Sequence, residues 1–260
     1  MISTKVGRIL TGLEVYKNQT GCKGVVLGLS GGKDSTVVAM LAKRVWGDNV
    51  FAIIMPNGEQ KDISDAIIVA ETLGIEYRAV NIETIYNNLV LNIEQQIGFT
   101  QGGSKEWIPN CPKISDKALT NIPPRIRMTI LYAVAQTLGY RVIGTGNMSE
   151  RYIGWFTKYG DGGCDLNPLG HLTCTEVVEA GKHLAKQFGL QEDFIVKTPA
   201  DGLTGKSDED NFGFTYAQLD SYIMSDSLHD PGTCGDGEID AKIKKLHEAS
   251  EHKRTMPYLI

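Results

Sequence analysis

At 260 residues, 42% hydrophobic and 22% charged, the chain has a globular composition, which excludes a disordered tail, a collagen-like fibre or a disulfide miniprotein. A formal net charge of −5 offers no global basic grip for nucleic acid, although a local patch stays open. The five cysteines (Cys22, Cys111, Cys164, Cys174 and Cys234) are odd in number, widely spaced and contain no C-x-x-C pair, which argues against a disulfide framework or a four-thiolate zinc site.

Val6, Ile9, Leu10 and Leu13 follow helical spacing, so the chain is expected to open on an amphipathic helix. Met1 to Leu13 lacks the apolar core and cleavage site of a signal peptide, and no run approaches the ~18 apolar residues of a membrane span. A cytoplasmic protein with reduced structural thiols, no membrane association and no nucleic-acid partner is the expectation. Lys23 to Leu29 reads as a strand ending in a glycine-rich turn, Asp34 to Trp46 as a buried helix, and Val50 to Met55 as a second strand stopped by Pro56-Asn57-Gly58. Asp62 to Leu73 is helical with Gly74 as C-cap, and Glu76 to Ile82 reads as a third strand, followed by a helix to about Ile97. Phe99 to Pro124, rich in Gly, Pro, Ser and Asn, reads as a mobile loop that could close over a site or as a connection between subregions. Arg125 to Leu138 is helical and Tyr140 to Gly144 a fourth strand. Later helices are expected near Thr175–Phe188, Tyr216–Met224 and Ile239–His252. Apolar strands alternating with helices predict an α/β fold: a Rossmann-like parallel sheet with helices on both faces and a helical C-terminal extension, in one domain over 1–260.

The most informative segment is Gly28-Leu29-Ser30-Gly31-Gly32-Lys33-Asp34-Ser35. It stands at the carboxyl end of a strand, where parallel sheets bind ligands. Its glycines permit close approach, and the following helix offers unpaired N–H groups to an anion. It is neither G-x-G-x-x-G nor a Walker A loop, since Lys33 is followed by Asp34; Gly205-Lys206-Ser207 fails too, because Ala200 stands where the first glycine belongs. The turn resembles the S-G-G-x-D-S loop of the ATP pyrophosphatases, the PP-loop, which holds pyrophosphate as ATP is cleaved between its α and β phosphates. That resemblance implies that Ser30, Gly32 and Ser35 bind the leaving pyrophosphate, that Lys33 adds charge, and that Asp34 holds Mg²⁺.

From Gly144 the chain reads G-T-G-N-M-S-E-R-Y-I-G-W-F-T-K-Y-G-D-G-G-C-D-L-N-P-L, with Arg125-Ile-Arg127-Met128 before it and His252-Lys253 after. With the PP-loop, this resembles ammonia-dependent NAD synthetase from about residue 20 to residue 254. The resemblance implies ATP contacts at Thr145 and Gln60, and Glu150 joining Asp34 on Mg²⁺. It implies deamido-NAD contacts at Arg125, Lys158, Asp165, His252 and Lys253, with Arg127 facing elsewhere on the helix. Asp161 would bind ammonium and accept its proton, making Asp161, Lys158 and Asp34 the catalytic group. On spacing alone, Asp161 and Asp165 read as turn residues. The implied reaction amidates deamido-NAD with ammonia and ATP through an acyl adenylate, releasing AMP and pyrophosphate, in a homodimer. No glutaminase domain is expected in 260 residues. The alternative is another PP-loop enzyme such as a tRNA-modifying ATPase, which would need a cysteine pair or a basic surface.

Two positions depart from the family pattern. Thr173-Cys174-Thr175-Glu176 reads as a capping box, with Cys174 where a phosphate-binding lysine is common, leaving only helix-terminal N–H groups there. With that lysine replaced, phosphate charge would fall to Lys33 or Lys206; Ala200 likewise stands where a hydroxyl is common.

Overall fold

The computed structural model describes residues 1–59, 63–97, 114–196, 207–226 and 232–259. Helix α1 (Ile2–Thr20) leads to β1 (Val25–Gly28), α2 (Lys33–Trp46) to β2 (Val50–Ile54), and α3 (Ile63–Leu73) to β3 (Glu76–Ala79). Helices α4 (Glu83–Ile97) and α5 (Asp116–Leu138) precede β4 (Arg141–Val142). The helical C-terminal part comprises α6 (Met148–Ile153), α7 (Cys174–Phe188), α8 (Asp193–Val196), α9 (Asp208–Phe212), α10 (Tyr216–Ser225), α11 (Gly237–Ala249) and α12 (Glu251–Arg254).

Among the described residues the four strands form one parallel sheet in the order β3-β2-β1-β4. Strand residues alternate faces. Val25 and Leu27 of β1 pack with residues of α1, α2, α3 and α7, whereas Val26 packs against α5 residues such as Ile126 and Ala135. The sheet is therefore covered on both faces, as its apolar strands require. A third cluster joins Ile153 of α6, Cys174 of α7, Leu219 and Tyr222 of α10 and Ile243 of α11. The contacts of Tyr216 with Lys33 and of Asn147 with Asp34 set the C-terminal part beside the first turn of α2, just after β1 and the glycine turn.

The expected loop over 99–124 is corrected in its second half. Ser115 caps α5 by accepting the Ala118 N–H, and the helix runs straight through Pro123 and Pro124. A proline inside a helix costs about 3 kcal/mol and loses a backbone donor, so local sequence argues for a loop. Here both prolines are buried, and packing overrides propensity. Pro124 lies against Gly160, where an added Cβ would come within 2.9 Å of the Pro124 ring. Residues 99–113, with Cys111, lie outside the described residues, as does the question of a cover over the site.

Candidate active site

The glycine turn is closed by its own hydroxyls. The Ser35 hydroxyl donates to the Gly32 carbonyl at 3.0 Å and accepts the Ser30 N–H at 3.3 Å, and the Ser30 and Ser35 oxygens lie 3.0 Å apart. Gly31 takes φ 80°, a left-handed angle that a side chain would strain. Gly32 is the N-cap of α2 and supplies no side chain to it. The first turn of α2 thus keeps its N–H groups and positive dipole end for an anion. Gly28 and Leu29 lead into the turn, and the Leu29 N–H is held by the Ile53 carbonyl at 3.0 Å. Thr145, partly buried, follows β4 at the same edge of the sheet.

Beside this turn stands a charge cluster. Buried Lys33 donates to Asp34 Oδ2 at 2.6 Å, and its ammonium lies 5.6 Å from the centre of the Tyr216 ring. Asn147, fully buried, donates from Nδ2 to Asp34 Oδ1 at 3.1 Å. The same residue caps α6: its Oδ1 accepts the Glu150 N–H, and its own N–H donates to Glu150 Oε2, both at 3.0 Å. Burial, and then the charge of Asp34, push the Glu150 carboxyl up to about 8. Burial works against the Lys33 charge, but the neighbouring carboxylates outweigh it and hold its pKa above the ordinary lysine value. Among the described residues no three potential metal ligands converge, so Asp34 and Glu150 supply two carboxylates. Two carboxylates completed by substrate phosphates suit Mg²⁺, which keeps the rest of its octahedron as water.

The N-terminus of α7 does not offer the free N–H groups that the sequence reading gave it. Thr173 and Glu176 form the expected capping box. The Cys174 N–H, however, donates to the Ser149 hydroxyl at 2.9 Å, and the Thr175 N–H to Asp220 Oδ2 at 2.8 Å. Ser149 in turn donates to the other Asp220 oxygen. A buried carboxylate therefore occupies this helix end and excludes a phosphate from it. Burial pushes the Cys174 thiol up to about 12, so it stands neutral beside Lys33. Among the described residues of this region, Lys33 is the buried cation beside the glycine turn; Gln60, Ala200 and Lys206 lie outside the described residues.

A second cluster forms where the segment after α6 meets α5 and α12. Asp161 Oδ1 accepts the Thr157 N–H at 2.8 Å. Burial raises its pKa above the ordinary aspartate range, against that hydrogen bond and the charge of Lys253. Lys253 donates to the carbonyls of Gly154 at 2.6 Å and Phe156 at 2.7 Å, and burial lowers its pKa against the pull of Asp161. Lys158 donates to the His252 carbonyl, and Arg125 Nε to the Lys158 carbonyl at 3.3 Å. Tyr159 takes φ 59° and is exposed, the one described non-glycine residue with positive φ. Such an angle in a tyrosine marks a segment held in shape by its surroundings.

Arg127 and Arg125, two positions apart on α5, make different contacts, as their helical spacing implies. Arg127 donates to the Met55 carbonyl at 3.0 Å, and burial lowers its pKa against the opposing charge of Asp161. Asp165 makes its hydrogen bonds elsewhere: Oδ2 accepts the Val142 N–H at 2.8 Å, and Oδ1 the Tyr132 hydroxyl at 3.4 Å. Sequence reasoning missed Asn147 and Arg254. The first was legible as an N-cap in N-x-x-E; the second, which donates to the carbonyls of Tyr152 at 2.9 Å and His247 at 2.6 Å, carries no local signal.

Comparison with known proteins bears on this pair of clusters. A family model described as NAD synthase matches residues 5–257. The chain is 38% identical to the NH(3)-dependent NAD(+) synthetase of Carboxydothermus hydrogenoformans, over 97% of this chain and 95% of that protein. It is 40% identical to the corresponding synthetase of Archaeoglobus fulgidus, over 97% of this chain and 94% of that protein. Among solved structures it resembles the NMN synthetase from Francisella tularensis, with a TM-score of 0.82 at 30% identity, covering 100% of this chain and 98% of that chain. The NH3-dependent NAD synthetase from Campylobacter jejuni gives a TM-score of 0.75 at 28% identity, covering 100% and 99%.

Proposed function

Because the chain belongs to the NAD synthase family, and carries by homology the ligase activity of its NH3-dependent members, we propose that it amidates deamido-NAD with ammonia and ATP as one domain over 1–260. The observation that supports this most directly is the pair Asp34 and Glu150, tied together by Asn147 beside an uncapped helix N-terminus.

In the first step the nicotinate carboxylate attacks the α-phosphorus of ATP, and pyrophosphate leaves. The backbone of Gly28 to Ser35 and the Lys33 ammonium hold the departing phosphates, and Gln60 and Thr145 complete the nucleotide site. Mg²⁺ at Asp34 and Glu150 would neutralise phosphate charge. The protein's part here is placement and electrostatics. In the second step ammonia attacks the acyl carbon and AMP leaves. Ammonium has no free lone pair, so Asp161 takes a proton first; burial makes its carboxylate a stronger base than an ordinary aspartate. Arg125, Lys158, Asp165, His252 and Lys253 hold deamido-NAD, with Lys253 kept in place by two carbonyls.

The proposal includes a homodimer. It rests on the family resemblance; in α4 Ile85 and Leu89, one helical turn apart, are exposed apolar side chains that a second copy could cover. No nucleic-acid partner is proposed, and no described helix is long and apolar enough to cross a membrane. The test is incubation with ATP, Mg²⁺ and ammonium, with deamido-NAD or nicotinate mononucleotide as acceptor. NAD and AMP in equal amounts are expected; AMP formed only with the mononucleotide would overturn the choice of acceptor.

A further inference from the structure

Six N-caps among the described helices use a side-chain acceptor: Ser115, Asn147, Thr173, Ser207, Thr215 and Asp236. Five are hydroxyls or a carboxylate, and only Asn147 brings an amide. Capping needs an oxygen, and Asn147 Oδ1 meets that need by accepting the Glu150 N–H. The NH₂ group is surplus to the helix, yet it is buried and donates to Asp34 Oδ1, on a residue 113 positions away. Meanwhile the Asn147 main-chain N–H holds Glu150 Oε2. One residue thus fixes one oxygen of each carboxylate, while Lys33 fixes the second oxygen of Asp34.

We propose that Asn147 is a positioning residue for the divalent cation: through Nδ2 and its backbone N–H it sets the spacing and aim of the Asp34 and Glu150 carboxylates. This rests on the reading of those two as the metal pair. Two carboxylates side by side repel once both are ionised, as cation binding requires, so donors have to hold their spacing. A neutral donor between them orients both without cancelling the charge that attracts the cation, which a second lysine would do. Outer contacts of this kind typically govern affinity by 10- to 100-fold.

Serine and threonine at position 147 keep a capping oxygen but lack the amide arm. Asn147→Ser, with Asn147→Thr as a second variant, therefore separates the two duties, and Asn147→Ala removes both. Mn²⁺ binding, read by electron paramagnetic resonance with α,β-methylene-ATP present, and the melting temperature of the metal-free protein are the readouts. The expected result is a melting temperature within about 2 °C of the parent for the serine variant, and a Mn²⁺ dissociation constant raised about tenfold. Unchanged Mn²⁺ affinity in both capping variants would overturn the proposal, as would a serine variant that melts as early as the alanine one. Failure of the underlying reading is distinguishable: Asp34→Asn would then bind Mn²⁺ as tightly as the parent protein.

Discussion

The buried ammonium of Lys33 lies 2.6 Å from the carboxylate of Asp34, its immediate neighbour in the chain, at the first turn of α2. The pair stands where the helix dipole favours negative charge, so Lys33 counters both its own neighbour and the phosphates that the turn would bind. Lys33→Met keeps the length of the side chain and removes the charge. A fall of about 100-fold or more in kcat/KM for ATP is expected, in line with the loss of one preorganised electrostatic contact. Steady-state kinetics with ATP varied checks this; an unchanged value would assign the phosphates to other cations.

Glu150 gives a pH dependence of stability with a definite sign. Its carboxyl is pushed up to about 8 in the folded protein, from an ordinary value of 4.5. Between those two values the unfolded chain has lost the proton while the folded chain keeps it. The stability that the protonated group contributes is therefore present in full below about pH 4.5 and lost as pH rises toward 8. Denaturant melts of metal-free protein should show stability falling over that window, and Glu150→Gln should flatten the slope. Cation binding displaces the same proton, so Mn²⁺ affinity should rise with pH across the same range.

Asp161 is expected to separate the two half-reactions. Asp161→Asn retains an oxygen to accept the Thr157 N–H, so the loop keeps its shape, but it cannot take a proton from ammonium. Deamido-NAD-dependent release of pyrophosphate should persist while NAD formation falls by ~100-fold or more. Quantifying both products from one reaction decides it; equal loss of the two would remove Asp161 from the proton-transfer role.

The structural contact of Asp165 and its proposed contact with substrate can be divided by substitution. Its Oδ2 accepts the Val142 N–H of the two-residue edge strand β4. Asp165→Ala leaves that donor without its acceptor and should cost about 1–2 kcal/mol of stability in urea melts. Asp165→Asn keeps an acceptor and should melt like the parent, so a rise in KM for deamido-NAD in this variant isolates the substrate contact. An unchanged KM would leave Asp165 with the sheet alone.

These residues mark what the sequence could and could not tell. All four strands were legible because apolar runs bounded by glycine and proline admit few readings, and Gly28 to Ser35 announces its place at a strand's carboxyl end. The first nine residues of α5 were not, since Pro123 and Pro124 argue locally for a loop and only burial reverses them. The Thr173–Glu176 capping box was read correctly, yet the occupation of that helix end depends on Asp220, 45 positions from Thr175. The bonds from Asn147 to Asp34 and from Arg127 to the Met55 carbonyl are likewise products of tertiary packing, which no local periodicity encodes.

In the proposed mechanism the glycine turn and the Asp34–Glu150 pair direct attack at the α-phosphorus of ATP. The most direct test uses deamido-NAD labelled with ¹⁸O in its nicotinate carboxylate, with AMP and pyrophosphate analysed by mass spectrometry. An acyl adenylate places one ¹⁸O in AMP and none in pyrophosphate. ADP and ¹⁸O-labelled inorganic phosphate would mean attack at the γ-phosphorus and would rule that mechanism out.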